Sequence, residues 1–556
     1  MARTKDETLR EITLDYLAKI NVQNPPTPAN IQADILDATN LQFQLENTNR
    51  AKGSSWKIPD RLTPAQIADI LMTLYPIVNI AYGGLNADIE FDVLSIYQSD
   101  GIDKGIYTSS KQMFSRLIHQ YCYTFSEKET NETLALLKDR APRVVRSSDR
   151  NLIAVNNGIF DYDTKVLMPF DPHLIFVSKS KVDYNPNAIN PIIHNNDDGT
   201  DWNIEEWMDD LFDDPEITKL MWEILGAIIR PNVPWNKSAW FYSNTGNNGK
   251  GTLCELMRAI TGEGTYASIP LSDFSKDFML EPLLKASAII VDENDVGTFV
   301  DKAANLKAII TNDVIQMNRK FKTPIAFQFK GFMVQCLNEL PKIKDKSDSF
   351  YRRQLFVPFT KCFTGKERKY IKHDYLHRQD VLEYVLYKVL NTNYYTLSEP
   401  EACKLVLEEY KEFNDPIRQF IDEIIMNCQW DLLPYTFLYD LYKAWFKLYV
   451  PNGTMVGRNT FVQDLNKALY GNTTWYPTPA NTQVRPGNKM NKAEPYIFEY
   501  HLDKWTNPTY RGTDVEKLCH PELKAHYKGL LRYETDPSDT TDEEETPEDN
   551  DDDATS

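Results

Sequence analysis

The sequence predicts an α/β protein built around a parallel β-sheet that is flanked by helices. An apolar strand at 239–243 runs into a glycine-containing loop and then into a helical pattern. A second run, 287–291, consists of small or apolar residues and ends in two carboxylates, and a third, 332–337, ends in a polar amide. Short continuous apolar runs are typical of strands buried on both faces of a parallel sheet.

Ahead of these strands, the sequence predicts several separate helices and one hairpin. Thr63 is a suitable N-cap for a helix that begins with Pro64. Alternating apolar residues at 152–160, interrupted by Asn156-Asn157-Gly158, indicate a β-hairpin. Residues 202–229 read as two helices that are split at Asp213-Asp214-Pro215, and a domain boundary is expected near residue 205.

The loop after the first apolar strand has the features of a phosphate-binding loop. Gly246 and Gly249 allow the backbone to turn its N–H groups inward, and Lys250 begins the next helix, from which it would reach the β and γ phosphates of a nucleotide. An ordinary turn is the alternative. The predicted nucleotide-binding residues are Gly246, Asn247, Asn248, Gly249, Lys250, Gly251 and Thr252.

This loop departs from the pattern G-x-x-x-x-G-K-[ST] at two positions. Asn244 occupies the place of the first glycine, and Gly251 occupies the place of the hydroxyl residue that follows the lysine. The hydroxyl ligand for Mg²⁺ is therefore expected to come from Thr252.

Polar residues at the ends of the two later strands complete the predicted site. Acidic residues at the carboxyl end of a parallel strand project into the crevice where such sheets bind ligands. Asp292 would hold Mg²⁺, directly or through water, and Glu293 would orient and deprotonate the attacking water. Asn338 would position that water or sense the γ phosphate. The alternative is structural, with the acidic pair and the amide serving only to end their strands.

Between these strands, 314–317 and 324–329 form a predicted hairpin whose tip is basic and aromatic. Lys320 and Lys322 would meet phosphates, and Phe321 would meet a base or sugar of single-stranded nucleic acid. A soluble turn is the alternative. Further on, Arg352 and Arg353 precede another strand and form either a solvated edge or, in a ring of subunits, an arginine finger.

Composition and charge limit the class of protein. The net charge of -19 includes twelve acidic residues and no basic residue in 534–556, so the rest of the chain carries -7. This tail is expected to be disordered, as a solubilising segment or a competitor for a basic channel. Seven cysteines without a C-x-x-C pair predict neither disulfides nor zinc. No long apolar run or signal peptide is present, so a cytoplasmic protein without membrane contact is expected.

The C-terminal part predicts a small DNA-binding domain. Helices are expected from Pro416, at 435–449 and at 460–469, followed by a strand at Tyr496–Tyr500, which is the order of a winged helix. A helical protein-binding lid is the alternative. The residues expected to contact DNA are Arg458, Asn459 and Gln463 on the recognition helix and Arg485 and Lys489 in the wing.

The series of motifs resembles the superfamily 3 helicases, a branch of AAA+ ATPases carried by viruses, phages and plasmids. Three segments, 248–252, 337–341 and 351–359, are similar to the phage and plasmid primase-helicase family, which is related to the poxvirus primase-helicase. Residues 152–187 resemble the domain that precedes the ATPase in that family, and the resemblance covers roughly residues 110–510. Asn244, Gly251 and the lack of an identifiable primase domain upstream depart from the family.

The resemblance implies a homohexameric ring that translocates on single-stranded DNA, generally 3′ to 5′. ATP and Mg²⁺ would bind between subunits, with Lys250 and Thr252 on one side and Arg352 or Arg353, preferably Arg353, on the other. The expected function is a replicative helicase of a phage, plasmid or other mobile element that acts on forked DNA, with a primase or other replication proteins as partners. The alternatives are an origin-binding initiator and a nucleotide-binding scaffold.

The motifs and the resemblance together predict six regions. They are an accessory region at 1–110, a family-specific domain at 111–205, the ATPase core at 206–365, a helical connector at 366–414, a winged-helix-like domain at 415–510, and a C-terminal segment at 511–556.

Overall fold

The computed structural model describes residues 3–51, 53–300, 302–320, 322–449 and 455–533. The chain forms two compact units, which meet in sequence between Glu408 and Glu409. The acidic tail predicted at 534–556 lies outside the described residues. In the described part of the chain, no helix combines the length and the apolar character that crossing a membrane would require.

The first unit begins with five helices and a four-stranded sheet. Its elements are α1 (Lys5–Leu17), α2 (Pro28–Thr48), α3 (Pro64–Leu74), β1 (Ile77–Ile80), β2 (Val93–Tyr97), β3 (Tyr107–Thr108), α4 (Lys111–Tyr121), α5 (Glu127–Arg140) and β4 (Arg143–Val144). The strand order is β3-β2-β1-β4. The predicted helix start is confirmed, because the Thr63 side chain accepts a hydrogen bond from the backbone N–H of Gln66.

A small three-stranded sheet and two helices follow. They are β5 (Leu152–Val155), β6 (Gly158–Asp161), β7 (Val166–Met168), the short pair β8 (Ile193–His194) and β9 (Asp201–Trp202), α6 (Ile204–Leu211) and α7 (Pro215–Ile229). The predicted hairpin is confirmed, since β5 and β6 pair antiparallel across Asn156 and Asn157. The predicted split between the two helices is also confirmed, with Asp214 capping α7.

The centre of the first unit is a five-stranded parallel sheet. Its chain segment contains β10 (Ser238–Tyr242), α8 (Lys250–Thr261), β11 (Tyr266–Ala267), β12 (Ala288–Val291), β13 (Phe299–Val300), α9 (Ala304–Ile310), β14 (Val314–Arg319), β15 (Lys322–Gln328), β16 (Phe332–Leu337), β17 (Lys342–Ile343), α10 (Asp348–Tyr351) and β18 (Gln354–Pro358). The sheet order is β11-β12-β16-β10-β18, and every neighbouring pair is parallel. The predicted α/β class with a parallel sheet is confirmed.

This sheet brings the carboxyl ends of its central strands together. Tyr242 at the end of β10 pairs with Leu337 at the end of β16, and Val291 at the end of β12 pairs with Gln335. The apolar runs β12 and β16 are buried along their whole length, as expected for interior parallel strands. The residues that follow these strands therefore meet at one edge of the sheet.

The hairpin formed by β14 and β15 packs at its base against the N-terminal part of the same unit. The Arg146 guanidinium lies over the rings of Tyr82 and Phe327, 4.8 and 5.6 Å from their centroids, and donates to the carbonyl oxygen of Gln328. Lys330 donates to the carbonyl oxygen of Ser147 at 3.1 Å. Burial lowers the pKa of Lys330 to about 8.

Three helices end the first unit, and the last of them contains the boundary with the second. They are α11 (Lys369–His373), α12 (Gln379–Asn391) and α13 (Glu401–Asn414). The second unit continues with α14 (Pro416–Glu423), β19 (Leu432–Pro434), α15 (Tyr435–Tyr449), α16 (Arg458–Ala468), β20 (Trp475–Pro477), α17 (Tyr496–Glu499), α18 (Val515–Leu518) and β21 (Gly529–Arg532). Its three strands form an antiparallel sheet in the order β19-β21-β20.

The prediction of a strand at Tyr496–Tyr500 is wrong, because this segment forms the short helix α17. Ile497 and Tyr500, three residues apart, are buried, whereas Phe498 is exposed. That spacing places the two buried side chains on one helical face, and Pro495 immediately before the helix suits its first turn. The strands that complete the small sheet are β20 and β21 instead.

Candidate nucleotide site at the edge of the central sheet

The loop between β10 and α8 contains two residues in the left-handed region of backbone conformation. Gly249 adopts φ +89° at the start of α8, and Asn247 adopts φ +50°. A Cβ at Gly249 would lie 2.8 Å from Leu211 Cδ2, whereas a Cβ at Gly246 would meet nothing within 4 Å. Gly249 is therefore required for both conformation and space, and Gly246 borders open space.

Polar side chains within the loop fix its shape. The Asn248 side chain donates to the Thr245 carbonyl oxygen and accepts from the backbone N–H of Lys250 at 3.3 Å. The backbone N–H of Thr245 in turn donates to Ser243 Oγ at 3.3 Å. These bonds within the chain define the shape of the loop. The sequence did not indicate the parts played by Ser243 and Thr245.

A segment after β18 covers the outer side of the loop. The backbone N–H of Phe363 donates to the Asn247 carbonyl oxygen at 2.7 Å. The Asn247 amide donates to Thr364 Oγ1 and to Glu367 Oε1, each at 3.2 Å. Asn247 is therefore used to attach the loop to this segment, and its side chain is engaged on the outer side.

Lys250 is buried, and its ammonium lies at the carboxyl ends of two adjacent strands. Its Nζ donates to Asn338 Oδ1 at 2.9 Å and to the Leu337 carbonyl oxygen at 3.0 Å. A longer bond of 3.4 Å reaches the Ser243 carbonyl oxygen. Burial lowers the pKa of Lys250, against the opposing effects of Cys336 and Asp292. Lys250 and Asn338, which were predicted separately as site residues, are thus in direct contact.

The Asp292 carboxylate lies beside the first turn of α8. A Cβ at Gly251 would stand 3.0 Å from Asp292 Oδ1, so the missing side chain leaves room for this carboxylate. Arg258, about two turns beyond Gly251 in α8, has an NH2 nitrogen 3.7 Å from Asp292 Oδ2 and is also paired with Glu255 at 3.2 Å. Glu293, the next residue, is exposed.

Thr252 is half-buried and lies on a different side of α8 from the one that faces Asp292. Together with Asn247 and Gly249, it lines a cavity of about 420 Å³ next to the loop. The residue that faces Asp292 is Gly251, so the joint assignment of Thr252 and Asp292 to one metal ion stays a prediction. The cavity is also lined by apolar, basic and acidic residues, which include Trp207, Leu211, Phe363, Lys366, Arg368, Lys369, Lys372, Asp201, Glu206, Asp210 and Glu367.

Two buried side-chain amides, those of Asn294 and Gln335, form a hydrogen-bond network next to the acidic pair Asp292-Glu293. The Asn294 amide donates to Gln335 Oε1 and to the Cys336 carbonyl oxygen, both at 3.0 Å, and its oxygen accepts from the backbone N–H of Leu271 at 2.9 Å. Gln335 also donates to the Ile269 carbonyl oxygen at 3.1 Å. Sequence reasoning missed both amides, although their positions within and after apolar strands were a usable signal.

The two candidate arginines have different surroundings. Arg352 is exposed at the end of α10. Arg353 is half-buried, and its guanidinium donates to the Ser349 carbonyl oxygen of the same chain. Its backbone carbonyl accepts from Ser238 at the start of β10 at 2.8 Å.

Only part of the predicted hairpin tip is described. Lys320 is exposed, while Phe321 lies outside the described residues. Lys322 begins β15 opposite Arg319. The prediction that these three residues contact nucleic acid therefore stays a prediction.

Three family profiles match separate parts of this chain. Residues 100–213 match the family described as D5 N terminal like, and 412–507 match the family described as Poxvirus D5 protein-like. Residues 241–353, from the strand of the phosphate loop to Arg353, match a family of unknown function, DUF5906. A protein of Acanthamoeba polyphaga mimivirus named "Putative helicase L207/L206" is 27% identical over 246 residues, which are 42% of this chain and 23% of that protein.

The chain is related to the primase-helicases of the phage and poxvirus type. It spans less than a quarter of the length of the mimivirus relative. The NrS-1 C terminal region in two apo structures is 13% identical, with TM-scores of 0.41 and 0.38. These structures cover 85% and 75% of this chain, which in turn covers 100% and 88% of theirs.

In the second unit of this chain, the residues predicted to contact DNA lie on one helix and one connecting segment. Arg458, Asn459 and Gln463 are exposed on α16, the first two in its first turn. Arg485 and Lys489 are exposed in the segment that connects β20 to β21. Arg485 contacts His526 Nε2 at 3.4 Å. The strand predicted at 496–500 would lie within this segment and is absent, as described above.

Proposed function

We propose that this chain is an ATP-dependent DNA helicase that works in replication. The observation that carries the proposal is the contact of Lys250 with Asn338, beside Asp292, at the carboxyl ends of three neighbouring parallel strands. Ligands of open α/β sheets bind at this edge. A buried lysine at the start of a helix, next to a glycine-containing loop, suits the β and γ phosphates of ATP.

The donor set fits a magnesium nucleotide. Asp292 retains 36% exposure of its side chain and has space beside Gly251, so it can hold Mg²⁺ directly or through water. Glu293 is exposed next to it and would orient and deprotonate the attacking water. Thr252 remains a proposed hydroxyl ligand, although its position in the cavity equally suits contact with the nucleotide.

The cavity beside the loop is the proposed site of the base and ribose. Trp207, Leu211 and Phe363 supply apolar surface for a base, and four basic residues of 366–372 line the cavity together with the acidic residues Asp201, Glu206, Asp210 and Glu367. A cleft of this size that combines aromatic surface with polar groups suits a small polar molecule. Thr252 and Gly249 join this cavity to the phosphate loop.

The order of the sheet supports assignment of the ATPase to the AAA+ class. The strand that precedes Asn338 lies between the strand of the phosphate loop and the strand of the acidic pair. In that class the subunits form a ring, here a proposed homohexamer, and an arginine of one subunit reaches the nucleotide of the next. Arg352 is exposed and suits this role, whereas the Arg353 guanidinium is bonded within its own chain.

Two surfaces would contact DNA. Lys320, with Phe321 and Lys322, would follow a single strand in the pore, and translocation is proposed to run 3′ to 5′. The second unit has the order helix, strand, helix, helix, strand, long segment, strand, which supports a winged helix. Its α16 would then contact duplex DNA through Arg458, Asn459 and Gln463. A primase or other replication proteins are proposed partners.

The test is strand displacement on a forked duplex, measured beside ATP hydrolysis. Wild type should hydrolyse ATP and separate the strands, and Lys250→Ala and Glu293→Gln should lose both activities. Lys128→Ala, which alters an exposed lysine of α5, should retain both. Hydrolysis without strand displacement would reject the helicase proposal in favour of an origin-binding initiator, for which the helices of the second unit are suited. An absence of DNA-stimulated hydrolysis would favour a nucleotide-binding scaffold.

A further inference from the structure

Two thiols that lie far apart in sequence meet beneath the phosphate loop. Cys254 is one turn beyond Lys250 in α8, and Cys336 is two residues before Asn338 in β16. These spacings place the Cys254 thiol on the same side of α8 as Lys250, and the Cys336 thiol on the same side of the β16 segment as Asn338. Both cysteines are buried, and their Sγ atoms are 3.3 Å apart.

The Asp292 carboxylate completes a group of three potential metal ligands. One carboxylate oxygen and the two sulfur atoms all lie within 4.8 Å of one another. No other group of three such ligands occurs in the part of the chain that the structure describes. Two thiolates and a carboxylate suit a borderline-soft ion such as Zn²⁺ and are a poor match for Mg²⁺.

The two sulfurs are already close to the spacing of zinc ligands. Zn–S distances of about 2.3 Å in a tetrahedral site place two sulfurs about 3.8 Å apart, so the thiols would separate by roughly half an ångström. Three protein ligands leave a fourth position for water.

The charges also balance. Binding would release the two thiol protons to solvent and form two Zn–S bonds, with no change of oxidation state. Two thiolates and one carboxylate carry three negative charges, which Zn²⁺ and the neighbouring Lys250 ammonium neutralise. Arg258, whose guanidinium lies 3.7 Å from Asp292, is also paired with Glu255 at 3.2 Å, and that carboxylate balances its charge.

We propose that Cys254, Cys336 and Asp292 form a binding site for a thiophilic divalent cation of the Zn²⁺ class, which switches off the adjacent nucleotide site. The ion takes the carboxylate that Mg²⁺ would use and ties α8 to β16 beneath Lys250. The switching effect rests on the proposed ATPase function, whereas ion binding does not. Rules based on the spacing of cysteines in sequence could not predict this site, because Cys254 and Cys336 are 82 residues apart.

Binding is tested on the full, reduced chain with Zn²⁺ against a chromophoric chelator, and with Cd²⁺ through its thiolate absorption in the ultraviolet. Wild type should bind one equivalent, and Cys254→Ser and Cys336→Ser should each bind at least tenfold more weakly. Cys122→Ser removes another buried thiol, in the N-terminal part, and should bind like wild type. Circular dichroism establishes whether each variant is folded, and Cys336→Ala provides a second variant of that position.

Equal Zn²⁺ affinity in wild type and in a folded Cys254→Ser or Cys336→Ala protein would overturn the proposal. It would also fall if Zn²⁺ did not bind while diamide, a two-electron oxidant, removed two thiols from wild type alone, because the pair would then be a redox pair. Micromolar Zn²⁺ should inhibit hydrolysis by wild type and by Cys122→Ser but not by Cys336→Ala. If wild type hydrolyses no ATP, the proposed function fails, while chelator competition still decides the metal site.

Discussion

The Lys250 ammonium donates a hydrogen bond of 2.9 Å to the Asn338 side-chain oxygen. This contact joins the first residue of the helix after the phosphate loop to the residue that follows the neighbouring strand β16. A buried ammonium gives up its hydrogen bonds to water. The protein oxygens that accept its hydrogen bonds instead determine where it lies and stabilise its charge. The amide therefore holds the lysine where the phosphates of a nucleotide would enter.

We expect Asn338→Ala to separate nucleotide binding from hydrolysis. The lysine would keep its carbonyl contacts and still bind phosphate, while the amide that positions the lysine and the attacking water would be lost. Loss of one positioned polar group at a reaction centre costs about 100-fold in rate. We expect kcat to fall by about that factor with a change in nucleotide Kd below about fivefold, measured by hydrolysis and by fluorescent ADP binding. A parallel loss of binding and rate would contradict this separation.

Nucleotide binding should be accompanied by proton uptake at Lys250. Burial lowers the pKa of this lysine in the free protein, whereas triphosphate favours its charged form and raises the pKa again. As pH rises through the lowered pKa, the free protein loses the proton that the complex retains, so uptake grows and affinity falls. Calorimetry in buffers of different ionisation enthalpy measures the uptake. Lys250→Met should lack its pH-dependent part, and an unchanged uptake in this variant would assign the proton to another group.

The two glycines of the loop should differ sharply in their tolerance of alanine. Gly249→Ala combines a left-handed φ, which costs about 1–2 kcal/mol for residues with a Cβ, with a contact of 2.8 Å to Leu211. Gly246→Ala meets open space in the folded chain. We expect Gly249→Ala to weaken ADP binding at least tenfold and Gly246→Ala to weaken it less than threefold. Similar losses in both variants would contradict the difference that the φ of Gly249 and its contact with Leu211 predict.

The sequence predicted the parallel strands because their apolar runs are short, continuous and bounded by polar residues. It also predicted that the residues after β10, β12 and β16 would share one edge, since parallel strands end on the same side. It could not predict the Asn294–Gln335 amide pair or the Cys254–Cys336 contact. Those pairs span 41 and 82 residues, and only the order of the strands in the sheet brings them together.

The error at 496–500 has a local cause. Tyr496-Ile-Phe-Glu-Tyr500 contains aromatic and branched residues that favour strands, and these preferences depend on packing. Ile497 and Tyr500 are both buried in the core of the second unit, and their separation by three residues suits a helix. The predicted winged-helix order therefore relied on a strand that is a helix in the structure. The strand β21 lies beyond the predicted domain end at residue 510.

Arg352 and Arg353 should give different defects. Arg352 is exposed, and its loss should remove charge stabilisation at a neighbouring subunit's nucleotide, which for arginine fingers is worth about 10³-fold or more in kcat. Mixing Arg352→Ala with Glu293→Gln subunits should restore part of the hydrolysis, because a mixed ring contains intact interfaces. Arg353→Ala removes an internal bond to Ser349 and should lower the melting temperature. Restoration by Arg353→Ala subunits but not by Arg352→Ala subunits would reverse the assignment.

Arg458 should contribute to duplex binding through phosphate contact. It is exposed in the first turn of α16, where the helix N-terminus adds a favourable field for phosphate. Arg458→Ala should weaken binding of different duplex sequences about equally and reduce the slope of log K against log salt by about 1. Lys504→Ala changes an exposed lysine of the same unit outside α16 and should leave the slope unchanged. Fluorescence anisotropy at several salt concentrations measures both. A loss confined to one sequence would mean that Arg458 contacts a base, and an unchanged slope would remove α16 from the DNA interface.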